Sequence, residues 1–289
     1  MARRNDWGAV YGNQQKILRA LSDIDGIFLG GGTAVQCYTL QQRYRESEDL
    51  DFFADHEMGT KESAKIRRMM VERLRRAGIT VLNEVLTEQK THRISCGFED
   101  NDEVIKIELL DFTAARYGGL GFVTHEDFPR IENHYNLLLY KLKALCDRTD
   151  TVKDLFDIYF IFKTLGPLNE RDMLTDLKMK FEETTGYAYS EKELIAALDV
   201  ENRNWDIVPT ETTKKYWHDM QTAVDDFRRE FRNALLDADS DTFDFTYESY
   251  LKKKAAETGQ TEADFLDVFE RNPFIEMECR KRLQGENRQ

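Results

Sequence analysis

The stretch Gly26-Ile27-Phe28-Leu29-Gly30-Gly31-Gly32-Thr33-Ala34-Val35-Gln36-Cys37-Tyr38 reads as a strand, a glycine turn and a helix start. Backbone N–H groups at such a turn point outward, and together with the Thr33 hydroxyl they form a cradle for phosphate oxygens. The turn lacks a P-loop lysine. It also misses the G-x-G-x-x-G spacing of a dinucleotide fold, because Ala34 and Val35 follow Thr33. On its own the turn serves equally as a tight strand-to-helix connection.

Outward from that turn, Asp49-Leu50-Asp51-Phe52-Phe53 alternates so that Asp49 and Asp51 share one strand face and Leu50 and Phe52 the other. Two like charges on a packed strand repel unless a cation neutralises them. Magnesium, or manganese in its place, accepts carboxylate and phosphate oxygens together and suits such a pair. Glu103 to Leu110 supplies a further strand, in which Ile105, Ile107 and Leu109 face one way and Lys106 and Glu108 the other. Glu108 is the expected third carboxylate, with Asp111 as the alternative. Three acids around a transferring phosphoryl group can stabilise both attacking and leaving oxygens.

The frame around these residues is that of an ordinary folded protein. Of 289 residues, 41% are hydrophobic and 33% charged, with 16 Gly and 4 Pro, which excludes low-complexity and collagen-like chains. Lys and Arg number 41 against 54 Asp and Glu, a net charge of −13, so nonspecific duplex binding is disfavoured and any nucleic-acid contact needs a local basic patch. Four scattered cysteines, Cys37, Cys96, Cys146 and Cys279, carry neither a zinc nor a disulfide pattern and fit a reducing cytoplasm. No signal-peptide core or membrane-length apolar run is present in the sequence.

Helices are expected from Asp6 to Leu21, around Lys65 to Arg76 with Gly78 as a stop, and as one long element from Thr210 to Ala238. Strands are expected at 80–86 and 93–98. From Ile131 onward helix-period patterns dominate, and Ser190 with Glu193 and Thr261 with Asp264 form capping boxes. The predicted fold class is α+β: an N-terminal mixed sheet with flanking helices over residues 1–127, followed by a helical domain over 128–289 that completes the active-site cleft. The basic face of Lys65, Arg68, Arg75 and Arg76 is the expected RNA backbone contact, or else a solvated surface.

In the helical half, Lys141 lies seven residues before Arg148, two turns along one helix face, where two cations can clamp triphosphate oxygens. Asp157 sits in the apolar run Leu155-Phe156-Asp157-Ile158-Tyr159 and calls for a cationic partner, Lys141 or Arg148. Catalysis and a structural ion pair between helices both explain this set.

The glycine turn ending in Thr33, fifteen intervening residues and Asp49-x-Asp51 resemble the signature of the DNA polymerase β nucleotidyltransferase superfamily. More closely, Gly31-Gly32-Thr33-Ala34 with Arg45-Glu46-Ser47-Glu48-Asp49-Leu50-Asp51 is similar to the first motif of the AbiEii/AbiGii toxin family. Lys141-Leu142-Lys143-Ala144-Leu145, Arg148 and Lys153-Asp154-Leu155-Phe156-Asp157 resemble its later motifs. The stretch from Arg148 to Lys153 is a residue longer than that pattern, so either Asp154 or Asp157 matches the later acid. The resemblance runs from Ile27 to Leu165.

It implies a toxin of a toxin–antitoxin or abortive-infection system, with a cognate antitoxin. The implied reaction transfers a nucleoside monophosphate from a nucleoside triphosphate to an RNA hydroxyl, foremost the tRNA 3′ end. Asp49, Asp51 and Glu108 would hold the metal. Gly31, Gly32, Thr33, Arg45 and Ser47 would seat the triphosphate, joined by Lys141 and Arg148, with Asp157 as a later catalytic acid. The rival expectations are an aminoglycoside-like small molecule or a protein as acceptor, and a non-catalytic binding module of the same fold.

Overall fold

The computed structural model describes residues 5–41, 43–54, 60–87, 91–110, 122–148, 150–164, 173–174, 176–177, 191–201, 203–237 and 256. Asp111, His56, Ser190, Cys279 and the expected capping box at Thr261 lie outside them. Contacts divide the described residues into two compact units, one up to Tyr140 together with Asp176 and Leu177, the other from Lys141 onward. The expected boundary at 127/128 precedes the helix His134–Asp147; the contact division falls inside that helix.

The first unit is a mixed seven-stranded sheet with helices packed against it. Helix α1 (Trp7–Leu21) is capped by Asp6, whose carboxylate accepts from the Gly8 and Ala9 amides, and it buries Val10, Ile17, Leu18 and Leu21. Strand β1 (Ile27–Gly30) is fully buried. It runs into α2 (Gly31–Thr33), which continues as a π-helical segment (Ala34–Thr39). Then come β2 (Leu50–Ala54), α3 (Thr60–Arg76), β3 (Thr80–Leu86), β4 (His92–Phe98), β5 (Asn101–Leu110), β6 (Phe122–Val123) and β7 (Ile131–Glu132). The spatial order is β3-β4-β5-β2-β1-β7-β6, with β2 parallel to β5 and antiparallel to β1.

Alternation along the strands separates two faces. Leu50, Phe52, Ile94, Ile105, Ile107 and Leu109 are buried on one face, which meets α1 and α3. That face holds the core because its strands offer an apolar residue at every second position. Glu84 belongs to it by its pairing with Ile94, and it receives Arg67 and Arg75 of α3. The other face carries Asp51 and Glu108, as the register Asp51↔Glu108 requires.

The second unit is helical. The C-terminal part of α4 (His134–Asp147), α5 (Lys153–Thr164), α6 (Glu191–Asp199) and α7 (Trp217–Asp237) bury an aromatic core of Phe156, Tyr159, Phe160, Phe227 and Phe231. The Tyr159 ring meets Phe227 edge-on at 5.3 Å, the geometry favoured by ring quadrupoles. Arg203 donates to the carbonyls of Arg148, Thr151 and Ala197, closing the turn after α4.

The expected long helix from Thr210 is shorter than its periodicity suggests. A 3-10 turn at Lys214–Tyr216 precedes α7, and ahead of it Thr210 and Thr213 bond each other, Thr213 Oγ1 donating to the Thr210 carbonyl.

Candidate active site

The glycine turn is shaped by what lies against it. Gly31 has φ +67°, and a Cβ there would come within 1.8 Å of Asp51 Oδ2. Gly32 lies under Arg45 and Ser47, where a Cβ would meet Arg45 Nη2 at 2.5 Å and Ser47 Oγ at 3.0 Å. Glycine is therefore required twice, once for conformation and once for close approach. Thr33 Oγ1 donates to the Asp49 carbonyl at 2.6 Å and shares a hydrogen bond with Ser47 Oγ at 3.0 Å. Gly31, Gly32, Thr33, Arg45, Ser47, Asp49 and Asp51 thus gather where β1 ends and β2 begins.

The segment leading into β2 is held from three sides. Gln36 Oε1 accepts from the Tyr44 and Arg45 amides at 2.8 and 3.3 Å. Gln14 Nε2 donates to the Ser47 and Glu48 carbonyls, both at 3.0 Å. Tyr11 donates to Glu46 at 2.6 Å and accepts from the Ser47 amide. Burial first, and then the Glu46 bond, push the Tyr11 phenol well above its ordinary value, so it stays a donor. Tyr11, Gln14 and Gln36 escaped sequence reasoning because polar residues in helices ordinarily face solvent.

Strand pairing extends the site into a row. Gly30↔Asp51, Asp51↔Glu108, Arg93↔Glu108 and Val85↔Arg93 place Gly30, Asp51, Glu108, Arg93 and Val85 side by side across five strands. Arg93 Nε donates to Glu108 Oε1 at 2.6 Å. Among the described residues no three His, Cys, Asp or Glu side chains converge as a metal-holding group. Asp49 and Asp51 nonetheless suit a hard divalent cation that takes one or two protein carboxylates and completes its shell with substrate phosphates and water. The absence of a side chain at Gly31 is what admits Asp51 Oδ2 beside the turn. Glu108, the expected third acid, accepts from Arg93.

Lys141, Arg148 and Asp157 meet within the helical unit. Lys141 Nζ lies 3.1 Å from Asp154 Oδ1 and 2.6 Å from Asp157 Oδ2, and Arg148 Nη2 lies 2.7 Å from Asp154 Oδ2. Both acids are fully buried, so both need the lysine. Asp154 and Asp157 share one ammonium.

The basic stripe of α3 lies on the sheet face opposite Asp51. There Arg67 and Arg75 pair with Glu84, Arg73 with Asp23 and Arg76 with Glu72, while Lys65 and Arg68 have no ion pair among the described residues. Much of the stripe's charge is offset locally.

The model of the Nucleotidyl transferase AbiEii toxin family, of Type IV toxin–antitoxin systems, matches residues 16–249. The chain belongs to this family. Among solved structures, JHP933 from Helicobacter pylori is similar at 19% identity over 81% of this chain and 98% of that one, with a TM-score of 0.42. The antibiotic-resistance factor ANT(2'')-Ia is similar at 15% identity over 62% of this chain and 94% of that one, with a TM-score of 0.39. No curated protein matches the chain. Membership of the AbiEii family makes this a nucleotidyltransferase-type toxin whose system includes an antitoxin. No helix among the described residues is long and apolar enough to cross a membrane.

Proposed function

We propose that the protein transfers a nucleoside monophosphate from a nucleoside triphosphate to an RNA hydroxyl, foremost at the tRNA 3′ end, in the cytoplasm. The observation that carries this reading is the approach of Asp51 Oδ2 to Gly31, which sets a carboxylate directly against the glycine turn. The turn's amides with Thr33, Ser47 and Arg45 receive the triphosphate. Asp49 and Asp51 hold magnesium or manganese, which when bound offsets phosphate charge.

The acceptor oxygen forms a bond to the α-phosphorus as the bond to the bridging α–β oxygen breaks, and pyrophosphate departs with that oxygen. The hydroxyl proton passes to a carboxylate of the Asp51–Glu108 row. Lys141 and Arg148 offer cationic N–H groups to phosphate within the helical unit, with Asp154 and Asp157 orienting the lysine.

The test is incubation with total tRNA, magnesium and each labelled nucleoside triphosphate, beside an Asp49→Ala/Asp51→Ala control. Label on tRNA from one or two nucleotides, absent in the control, is the expected outcome. The net charge of −13 favours a second acceptor class, a polycationic small molecule. Label on an aminoglycoside with none on tRNA would select it.

A further inference from the structure

We infer that Arg93 and Lys106 form the acceptor-side phosphate contact, binding the phosphodiester backbone of the RNA end on the flank of the acids opposite the glycine turn. The inference rests on the RNA-transfer reading above. Both cations lie on the Asp51 face of the sheet. Arg93 occupies the same cross-strand row as Asp51, two strands away, or about 10 Å at ordinary strand spacing. Lys106 lies one pleat back from Glu108, level with the point where Asp49 enters β2.

Sidedness argues for the acceptor. The donor cradle of Gly31, Gly32, Thr33, Arg45 and Ser47 adjoins β1, on one side of Asp51, whereas Arg93 and Lys106 stand on β4 and β5, on the other. Attack in line with the leaving group brings the acceptor oxygen from the side away from pyrophosphate. Arg93 uses Nε for Glu108, which leaves both Nη groups able to donate to phosphate. Lys106 is exposed and has no ion pair among the described residues.

The surrounding surface agrees. Leu82, Val85 and Val104 share this face and are 55%, 45% and 50% exposed, offering apolar area to ribose and base edges beside the two cations. In a chain of net charge −13, cations bordering the acids are the charge complement that an RNA end requires. The α3 stripe, by contrast, faces away from Asp51.

The test compares wild type, Lys106→Gln, Arg93→Gln and the double variant in equilibrium binding to total tRNA and, separately, to nucleoside triphosphate over a range of salt. Lys106→Gln removes an exposed charge and keeps the Arg93–Glu108 pair, so it reads binding without disturbing the fold. The expected result is loss of tRNA affinity on the order of 10-fold in the double variant, a salt slope shallower by about 1 per residue, and unchanged triphosphate affinity. Unchanged tRNA affinity and slope would overturn the inference. So would a matching loss of triphosphate affinity, which would assign the cations to the donor. A wild-type protein that binds tRNA through Arg93 and Lys106 yet labels it with no nucleotide would support this surface while overturning the transferase reading.

Discussion

Asp51 with Glu108 in the sheet, and Asp154 with Asp157 in the helical unit, are both acids set in apolar sequence, and the two pairs end in opposite environments. A strand turns successive side chains to opposite faces, so Asp51 and Glu108 leave the core while Leu50, Phe52, Ile107 and Leu109 enter it. In α5, residues 154 to 162 are all buried, and the acids go inward with them. There they are tolerated because Lys141 reaches both and Arg148 reaches one. A strand's period of two turns its carboxylates out of the core, whereas in a helix buried on every side they go inward and must be met there by counter-ions.

The widest test of this contrast is kinetic. Asp51→Ala should lower transfer by about 10³-fold or more while changing unfolding free energy by less than about 1 kcal/mol, measured by labelled-nucleotide assay and denaturant titration. Lys141→Met should, in addition to its lost phosphate contact, destabilise the helical unit by about 3–5 kcal/mol, because it leaves two buried acids without their shared cation. Hydrogen exchange resolved by unit would show that loss. A Lys141→Met protein of unchanged stability would break the comparison.

Gly31→Ala should cost about 1–3 kcal/mol and most activity, since φ +67° and the 1.8 Å approach to Asp51 Oδ2 both penalise a side chain. Gly78→Ala, at φ +76° with no atom near its Cβ, should cost stability alone. Thr33→Val should cost about 1–2 kcal/mol through the lost bonds to Ser47 and the Asp49 carbonyl.

The smallest effect concerns thiols. Burial pushes Cys96 in the sheet and Cys146 in the helical unit up to about 12. The stabilisation from keeping them neutral is complete below the ordinary value of 9.0 and is lost as pH rises toward 12. Alkylation mapped at pH 8 should be slow at both sites, and unequal rates would report which unit opens first.

Local pattern made much of this legible. The alternation of β2 and β5 revealed the acids and their faces, and the spacing from Thr33 to Asp49 with the later Lys141 motif pointed to the AbiEii family that residues 16–249 match. Lys106 was visible beside Glu108 in the same alternation, yet its relation to Asp49 needed the parallel register of β2 and β5. Arg93 needed one more pairing. The expected helix from Thr210 overran because periodicity does not register the local Thr210–Thr213 bonds.

The amino-acid sequence by itself determined which residues alternate, where glycine must turn the chain, and which charges lie in apolar runs, since these depend on neighbours along the backbone. Only the tertiary structure decided that Asp154 and Asp157 share Lys141, that Arg93 holds Glu108, and that Tyr11, Gln14 and Gln36 support the entry to β2. Those contacts join segments separated along the chain, and strand order and helix rotation create them only when the core closes.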